Sequence, residues 1–338
     1  MLIIVKLTKK FPTYNHCLKL IFRGESGMKK KPIYVEIDIQ AQIEDAWHYT
    51  QNPKLHEQWD LRFTSITYKE KEELSELQRF TYETKVMPGV TVSGWGESKG
   101  EHLTKDGVKI SSLHFGTPQK ISPIAEGKGY WKYIPKKQAL TFLTQYDYEV
   151  RYGKLGLLFD LVFRPLMGWA TALSFDVLKR WLEKGENPSA QYRRFFLTLL
   201  ISALFCFVWL YHGLIPKVLF QHPLEVMMVE HSLTQVNTAN DRNVANATSL
   251  VYWIGVAEML FALCWLVPRG KRLLFGLQIM LFPLLTLGAV LVDTDIAIAP
   301  FNPVTLNGAL WVLSIIGFVL SKDLPSAASC KRKRGKKD

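Results

Sequence analysis

Cysteine is scarce in this chain: Cys17, Cys206, Cys264 and Cys330 are the whole set, and no CxxC or Cys/His ligand spacing joins any of them. That excludes a disulfide framework and a cysteine-built metal site. Cys206 and Cys264 fall in apolar runs at depths differing by roughly 12 Å at 1.5 Å of rise per residue, too far apart for a bridge. Flavin, nicotinamide, haem and iron–sulfur motifs are missing too, which weighs against a redox enzyme with its own prosthetic group. A signal-peptide core is absent: Met1–Val5 is too short, and Lys6, Lys9 and Lys10 follow it in the wrong order. The basic run Met28-Lys29-Lys30-Lys31 stands directly before the first strand-like segment. Arg23-Gly24-Glu25 can be encoded by a purine-rich, ribosome-site-like stretch. Met28 is therefore expected to be the natural start, with residues 1–27 a translated leader.

Acidic residues are in deficit, 30 against 42 lysines and arginines, for a net charge of +12. The excess is concentrated, with six basic residues between Lys331 and Lys337 and others beside apolar runs. Such a balance suits nucleic acid or anionic lipid. Here adjacent membrane spans decide for lipid and against nucleic acid. The mean hydropathy of +0.03 averages a polar first half with a second half, from Phe195 onward, made of long apolar runs.

In the first half, Ile33–Ile39 alternates with period two and reads as a strand. Ala41–Thr50 carries Ile43, Ala46, Trp47 and Thr50 at helical spacing, and Asn52-Pro53 breaks it. Six β-rich segments follow: Phe63–Tyr68, Gln78–Met87, Thr91–Glu97, Lys109–Phe115, Gly127–Ile134 and Leu140–Arg151. Turn residues separate them, so one antiparallel sheet is expected. Lys154–Lys184 is then a long, broadly apolar helix with Pro165 inside it. A sheet curved around that helix is the packing that covers both apolar faces. Tyr34-Val35-Glu36-Ile37, Asp45-Ala46-Trp47, Asn52-Pro53 with Trp59-Asp60, and Phe163-Arg164-Pro165 with Leu178-Lys179 and Leu182-Glu183 resemble the START-like, or SRPBCC (polyketide cyclase-like), superfamily. The resemblance covers about residues 32–184. It implies an α+β helix-grip fold with a cavity for an apolar or lipid-like ligand, lined from the helix by Trp169, Leu173 and Val177. His56, His102, His114, Glu83, Asp147 and Tyr148 are scattered, with no spacing that demands a shared catalytic role.

In the second half, four runs of about 20 residues, near 195–215, 248–267, 273–292 and 304–321, each suit a transmembrane helix. Arg193-Arg194, then Arg269, Lys271 and Arg272, then Lys322 and the basic tail, flank one side of these spans. The positive-inside rule places both termini in the cytoplasm of a cell-membrane protein. The expected organisation is thus a leader (1–27), a cytoplasmic START-like domain (28–190), an all-α bundle of four transmembrane helices (191–322) and a basic tail (323–338) that contacts anionic lipid.

The segment Trp209–Glu225, above all His212-Gly213-Leu214-Ile215-Pro216-Lys217, resembles the DoxX-like family of four-helix membrane proteins, as does Glu258 in the second span. That resemblance covers about residues 192–322 and, through the family's name-giving member, implies a link to quinone. Ionisable groups inside a bilayer are costly and mark a partner or a function. His212 and Glu258 are therefore read either as a hydrogen-bonded brace between two helices or as a proton-handling or quinone-headgroup site. His222 and Glu225, three apart in the following loop, together with Glu230 and His231, are the metal candidates, and a wet loop holds such residues without a metal. No cofactor is expected beyond the quinone alternative.

Three function classes stay open. The leading one is a membrane-tethered binding module for an apolar small molecule or lipid, with a homo-oligomer allowed. The others are a quinone-linked membrane oxidoreductase, or its subunit, and a structural stress or assembly factor.

Overall fold

A computed structural model describes residues 31–70, 77–104, 106–236, 242–300 and 302–334, with only the backbone described at 100–102, 235–236 and 242–245. The leader and the choice of Met28 as start lie outside these residues. Contacts divide the chain into two compact units. One holds the described residues up to Glu57, Leu61–Ala172 and the chain from Cys330 on; the other holds Gln58–Asp60 and Leu173–Ser329. The division thus falls inside the long helix, where the sequence placed it near residue 190.

The first unit is built on seven strands, β1 Ile33–Ile39, β2 Ser65–Tyr68, β3 Leu77–Met87, β4 Val90–Leu103, β5 Lys109–Gly116, β6 Ile124–Pro135 and β7 Leu140–Val150. They form one antiparallel sheet in the order β1-β7-β6-β5-β4-β3-β2. Successive strands are hairpin neighbours, except that β1 pairs with the last strand. Between β1 and β2 run α1, Ile43–Gln51, and α2, Pro53–Trp59. Asn52-Pro53 ends one helix as expected but also starts another, because proline's fixed φ and missing N–H suit a first helical turn. After β7 comes α3, Gly153–Lys184, one continuous helix through Pro165. Its first half is strapped to β7: Tyr146 and Thr171 share a hydrogen bond of 2.9 Å, and Tyr148 donates to Asp160 at 2.7 Å. This is the START-like, helix-grip arrangement. The tail adds a clasp at the sheet edge, where Lys331 exchanges two 2.9 Å backbone hydrogen bonds with Glu36 and its ammonium holds the Glu36 carboxylate. An otherwise open edge strand is thereby partly covered.

The second unit is a helical membrane domain. Its helices are α4 Pro188–His212, α5 Pro223–Val236, α6 Arg242–Cys264, α7 Lys271–Val292 and α8 Pro303–Leu320. Asn187 caps α4 through two backbone N–H groups, with Pro188 at the first turn. Four of these, α4, α6, α7 and α8, are long and apolar enough to cross a membrane. They bury an aromatic core in which Trp265 meets Phe275 at 4.9 Å and Phe205 at 5.1 Å between ring centroids. Outward they show leucines and aromatics, such as Leu200, Phe207, Trp253 and Leu291. Only 17–22 % of these helices is enclosed, the inside-out pattern of a bundle whose solvent is lipid. Helix α5 occupies the loop that follows the first span. Helix α3 also satisfies the length and apolarity of a span, which the sequence reading did not anticipate.

Candidate functional site

Two places concentrate chemistry. The first is the inner face of the sheet. Directly paired residues share a face, and the pairs Ile66↔Tyr82, Phe80↔Gly96, Gly96↔Phe115, Leu113↔Gly129, Ser111↔Trp131 and Tyr133↔Phe142 run across it. Gly94 and Gly96 are needed there. A Cβ at Gly96 would lie 2.2 Å from the Phe80 ring, and one at Gly94 would lie 2.3 Å from the Tyr82 ring. The rings therefore lie flat across the neighbouring strand instead of standing into the interior.

Toward β1 and β7 this face is closed, with Val35, Ile39, Tyr133, Leu140 and Phe142 fully buried. Toward β2–β5 it is closed only in part: Ile66, Phe80 and Tyr82 are buried, but Phe63, Tyr68, Leu113 and Phe115, packed against them, point inward and are only partly buried. The guanidinium of Arg62 lies 5.6 Å from the Phe63 ring centroid and 5.4 Å from that of Tyr146, within cation–π range. His56 sets its ring against Phe63 and Trp131, at 5.3 and 4.9 Å. Tyr82 donates to the Gly116 carbonyl at 3.4 Å, and burial pushes its hydroxyl up to about 12, so it stays protonated at neutral pH. The result is an aromatic lining with the Arg62 guanidinium at its edge.

The residues expected to line a cavity from the helix are distributed differently. Trp169 is half-buried, while Leu173 and Val177 are fully enclosed and border no space as large as a water molecule. Arg62, Leu113 and Phe115 were missed. The period-two alternation of Lys109–Phe115 could have found the last two, but nothing local marks Arg62. His114 is on the outer face, bonded to Glu126 and edge-on to Trp95 at 4.9 Å. Asp147 and Tyr148 are tied up by Arg164 and Asp160.

The second place is in the membrane unit. After His212 the chain continues as one wide helical turn, Gly213–Leu219, in which Phe220 donates to the carbonyl five residues back at 3.2 Å. Pro216 lacks the N–H that an α-turn needs, and such a bulge re-aims the side chains on it. Gly213 and Lys217 are both turned inward against α6. A Cβ on Gly213 would lie 2.5 Å from the Gly255 carbonyl oxygen, and one on Gly255 would lie 2.7 Å from that of Gly213. That close approach puts the Lys217 ammonium 3.1 Å from Glu258 and 3.3 Å from Glu225. The partner of Glu258 is thus Lys217, not His212 as the sequence suggested. An ammonium attracts both carboxylates, whereas a neutral imidazole satisfies one at most. His212, one turn earlier, sits beside the ring of Tyr211. His222 and Glu225 are engaged separately: His222 Nδ1 accepts the Leu224 N–H at 3.3 Å, and Glu225 goes to Lys217. Among the described residues no group of three or more His, Cys, Asp or Glu side chains is placed to hold a metal.

Over 312 residues the chain is 38% identical to the membrane protein YndG of Bacillus subtilis (strain 168), covering 91% of this chain and all of that one. The chain belongs to the YndG family. Within it, residues 206–315 match the DoxX-like family model, a stretch that contains His212, Lys217, Glu225 and Glu258. The sheet-bearing part of this YndG-family chain is similar to a STAR-related lipid transfer protein of Xanthomonas axonopodis, at 14% identity and a TM-score of 0.35, covering 45% of this chain and 85% of that one. It is also similar to an aromatase/cyclase of a Streptomyces species, at 10% identity and a TM-score of 0.34, covering 46% and 98%. The START-like assignment rests on the strand order and register described above. The YndG-family chain is a membrane protein that joins a START-like domain to a DoxX-like helical domain.

Proposed function

We propose that this protein is a membrane-tethered binding module for an apolar or lipid-like ligand held against the inner face of the sheet. The observation that carries the reading is the one-sided closure of that face. Leu113, Phe115 and Phe63 are apolar, point inward and retain accessible surface, while their counterparts near β1 and β7 are sealed. Apolar surface left open in an interior is stabilised by an apolar occupant. Arg62 at the edge favours a ligand with an oxygen-bearing polar end. The DoxX-like bundle acts as the tether, keeping the module at the surface where such a ligand partitions and raising its effective concentration. The flanking basic residues favour a cell-membrane protein with both termini cytoplasmic, and Arg332, Lys333 and Arg334 of the tail are suited to anionic lipid.

The buried Lys217 cluster supports a brace more than a quinone or proton site, because the ammonium holds both carboxylates and two glycines lock the helices around it. Native mass spectrometry of the full chain tests the binding reading. Wild type should carry an adduct of lipid-like mass, and Leu113→Glu should lose it while the helical far-UV signal is unchanged. An adduct retained in Leu113→Glu, or a well-folded wild type with none, would refute it.

A further inference from the structure

Helix α3 is inside out over its first half. The residues it turns toward the sheet are Gly156, Asp160 and Arg164, followed by Thr171. Arg164 bonds Asp160 at 3.0 Å and Asp147 of β7 at 2.6 Å, and Tyr148 closes on Asp160. The polar stripe is therefore the packed one. The opposite face consists of Leu155, Leu158, Phe159, Leu161, Val162 and Leu166, which are 50–76 % exposed. A helix in water does the reverse. Contiguous apolar surface of this kind marks a contact with protein or membrane.

The patch continues onto the loop before it. Arg151 and Tyr152 bond the carbonyls of Thr117, Gln119 and Lys120, which sets exposed Ile121 and Tyr152 beside the helix start. The β3–β4 turn lies at this same end of the sheet by strand direction, and there Val86 and Met87 are 59 % exposed. Lys85, Lys120 and Lys154 punctuate these segments and are exposed.

We propose that this face docks on the bilayer: the first half of α3 lies in the plane of an anionic leaflet, with its leucines among the acyl chains and the three lysines at the headgroups. Length and composition alone would let α3 span, but a seven-stranded sheet bonded along its polar stripe rules that out for this half. A helix that is apolar on one side and flanked by lysines, in a chain already anchored by four spans, has the properties of an interfacial helix. The lysines favour lipid over a second copy of this chain, whose identical patch would oppose like charges. The inference does not depend on whether the sheet binds a ligand.

The test uses the full chain in nanodiscs containing anionic lipid, with the four natural cysteines replaced by alanine. A polarity-sensitive fluorophore is attached at Leu158→Cys, at Val162→Cys, or at Thr67→Cys on the exposed β2 strand as reference. Lipids carrying a nitroxide at the headgroup end of the acyl chain should quench positions 158 and 162 about threefold more than position 67, as expected for burial of ~5–10 Å. Combining Lys120→Glu and Lys154→Glu should reduce that quenching. Polar emission at 158 equal to that at 67 would overturn the proposal. So would blue-shifted emission without lipid quenching, which would mean that a second copy or another segment of this chain covers the face.

Discussion

Arg164 in the sheet unit and Lys217 in the membrane unit are each held between two carboxylates, and the two arrangements differ in kind. In the sheet unit Arg164 spreads its planar fork, Nε to Asp160 and one terminal nitrogen to Asp147, and Tyr148 donates into the same group. Asp147 there is 47 % exposed, so water shares its charge. In the membrane unit Lys217 offers a point charge at longer distances, its side chain 10 % exposed, to Glu225 and Glu258 at 28 and 17 %. One Glu258 oxygen is 3.1 Å from the ammonium, yet no bond to it has good geometry. The guanidinium thus supplies directed hydrogen bonds beside water. The ammonium supplies mainly charge attraction where water is scarce. The first is a strap that tolerates loss; the second is the more fragile.

Replacing the cations sharpens that contrast. Lys217→Met leaves two enclosed carboxylates facing each other and should cost about 3 kcal/mol or more, read as the largest fall in thermal midpoint of the full chain in nanodiscs. A fall no larger than that of the arginine variant would break the contrast. Gly255→Ala tests the same site sterically. Its Cβ meets backbone at 2.7 Å and the Lys217 side chain at 2.8 Å, so the helices must part, at about 1–3 kcal/mol. Arg164→Met should come next, about 1–2 kcal/mol, because solvent already stabilises Asp147. Glu258→Gln keeps shape and a hydrogen-bonding oxygen, and interhelical hydrogen bonds are worth about 0.6 kcal/mol on average. Full stability and full complementation of a deletion strain by this variant would support a brace; full stability with lost complementation would point to a proton site.

The smallest expected effect is on pH dependence at the surface. Hydrogen bonds from Lys136 and Thr141 hold the Asp38 carboxyl below its usual range. Lys184 does the same for Asp323 in the other unit, with Arg180. A carboxyl depressed in the fold favours folding above its unfolded value, about 3.9, and loses that contribution as pH falls through the folded value. Asp38→Asn should therefore flatten the stability profile only below about pH 4. A change confined to neutral pH would contradict the pairing.

Local pattern carried most of the architecture. Period-two alternation marked Ile33–Ile39 and Leu140–Val150, and four apolar runs marked the spans, because strand pleat and bilayer thickness act on consecutive residues. The turn His212–Lys217 was singled out instead by resemblance to the DoxX-like family, whose model matches residues 206–315. What sequence could not contain was partnership. Whether Glu258 meets His212 or Lys217 depends on how Pro216 widens one turn and how closely Gly213 approaches Gly255, more than forty positions away. Arg62 at the mouth of the sheet and the outward turn of Leu158 and Val162 depend likewise on which stripe of α3 the sheet engages. An apolar helix reads as core by composition alone. Only packing, by spending its inner stripe on Asp160 and Arg164, decided that its leucines face outward.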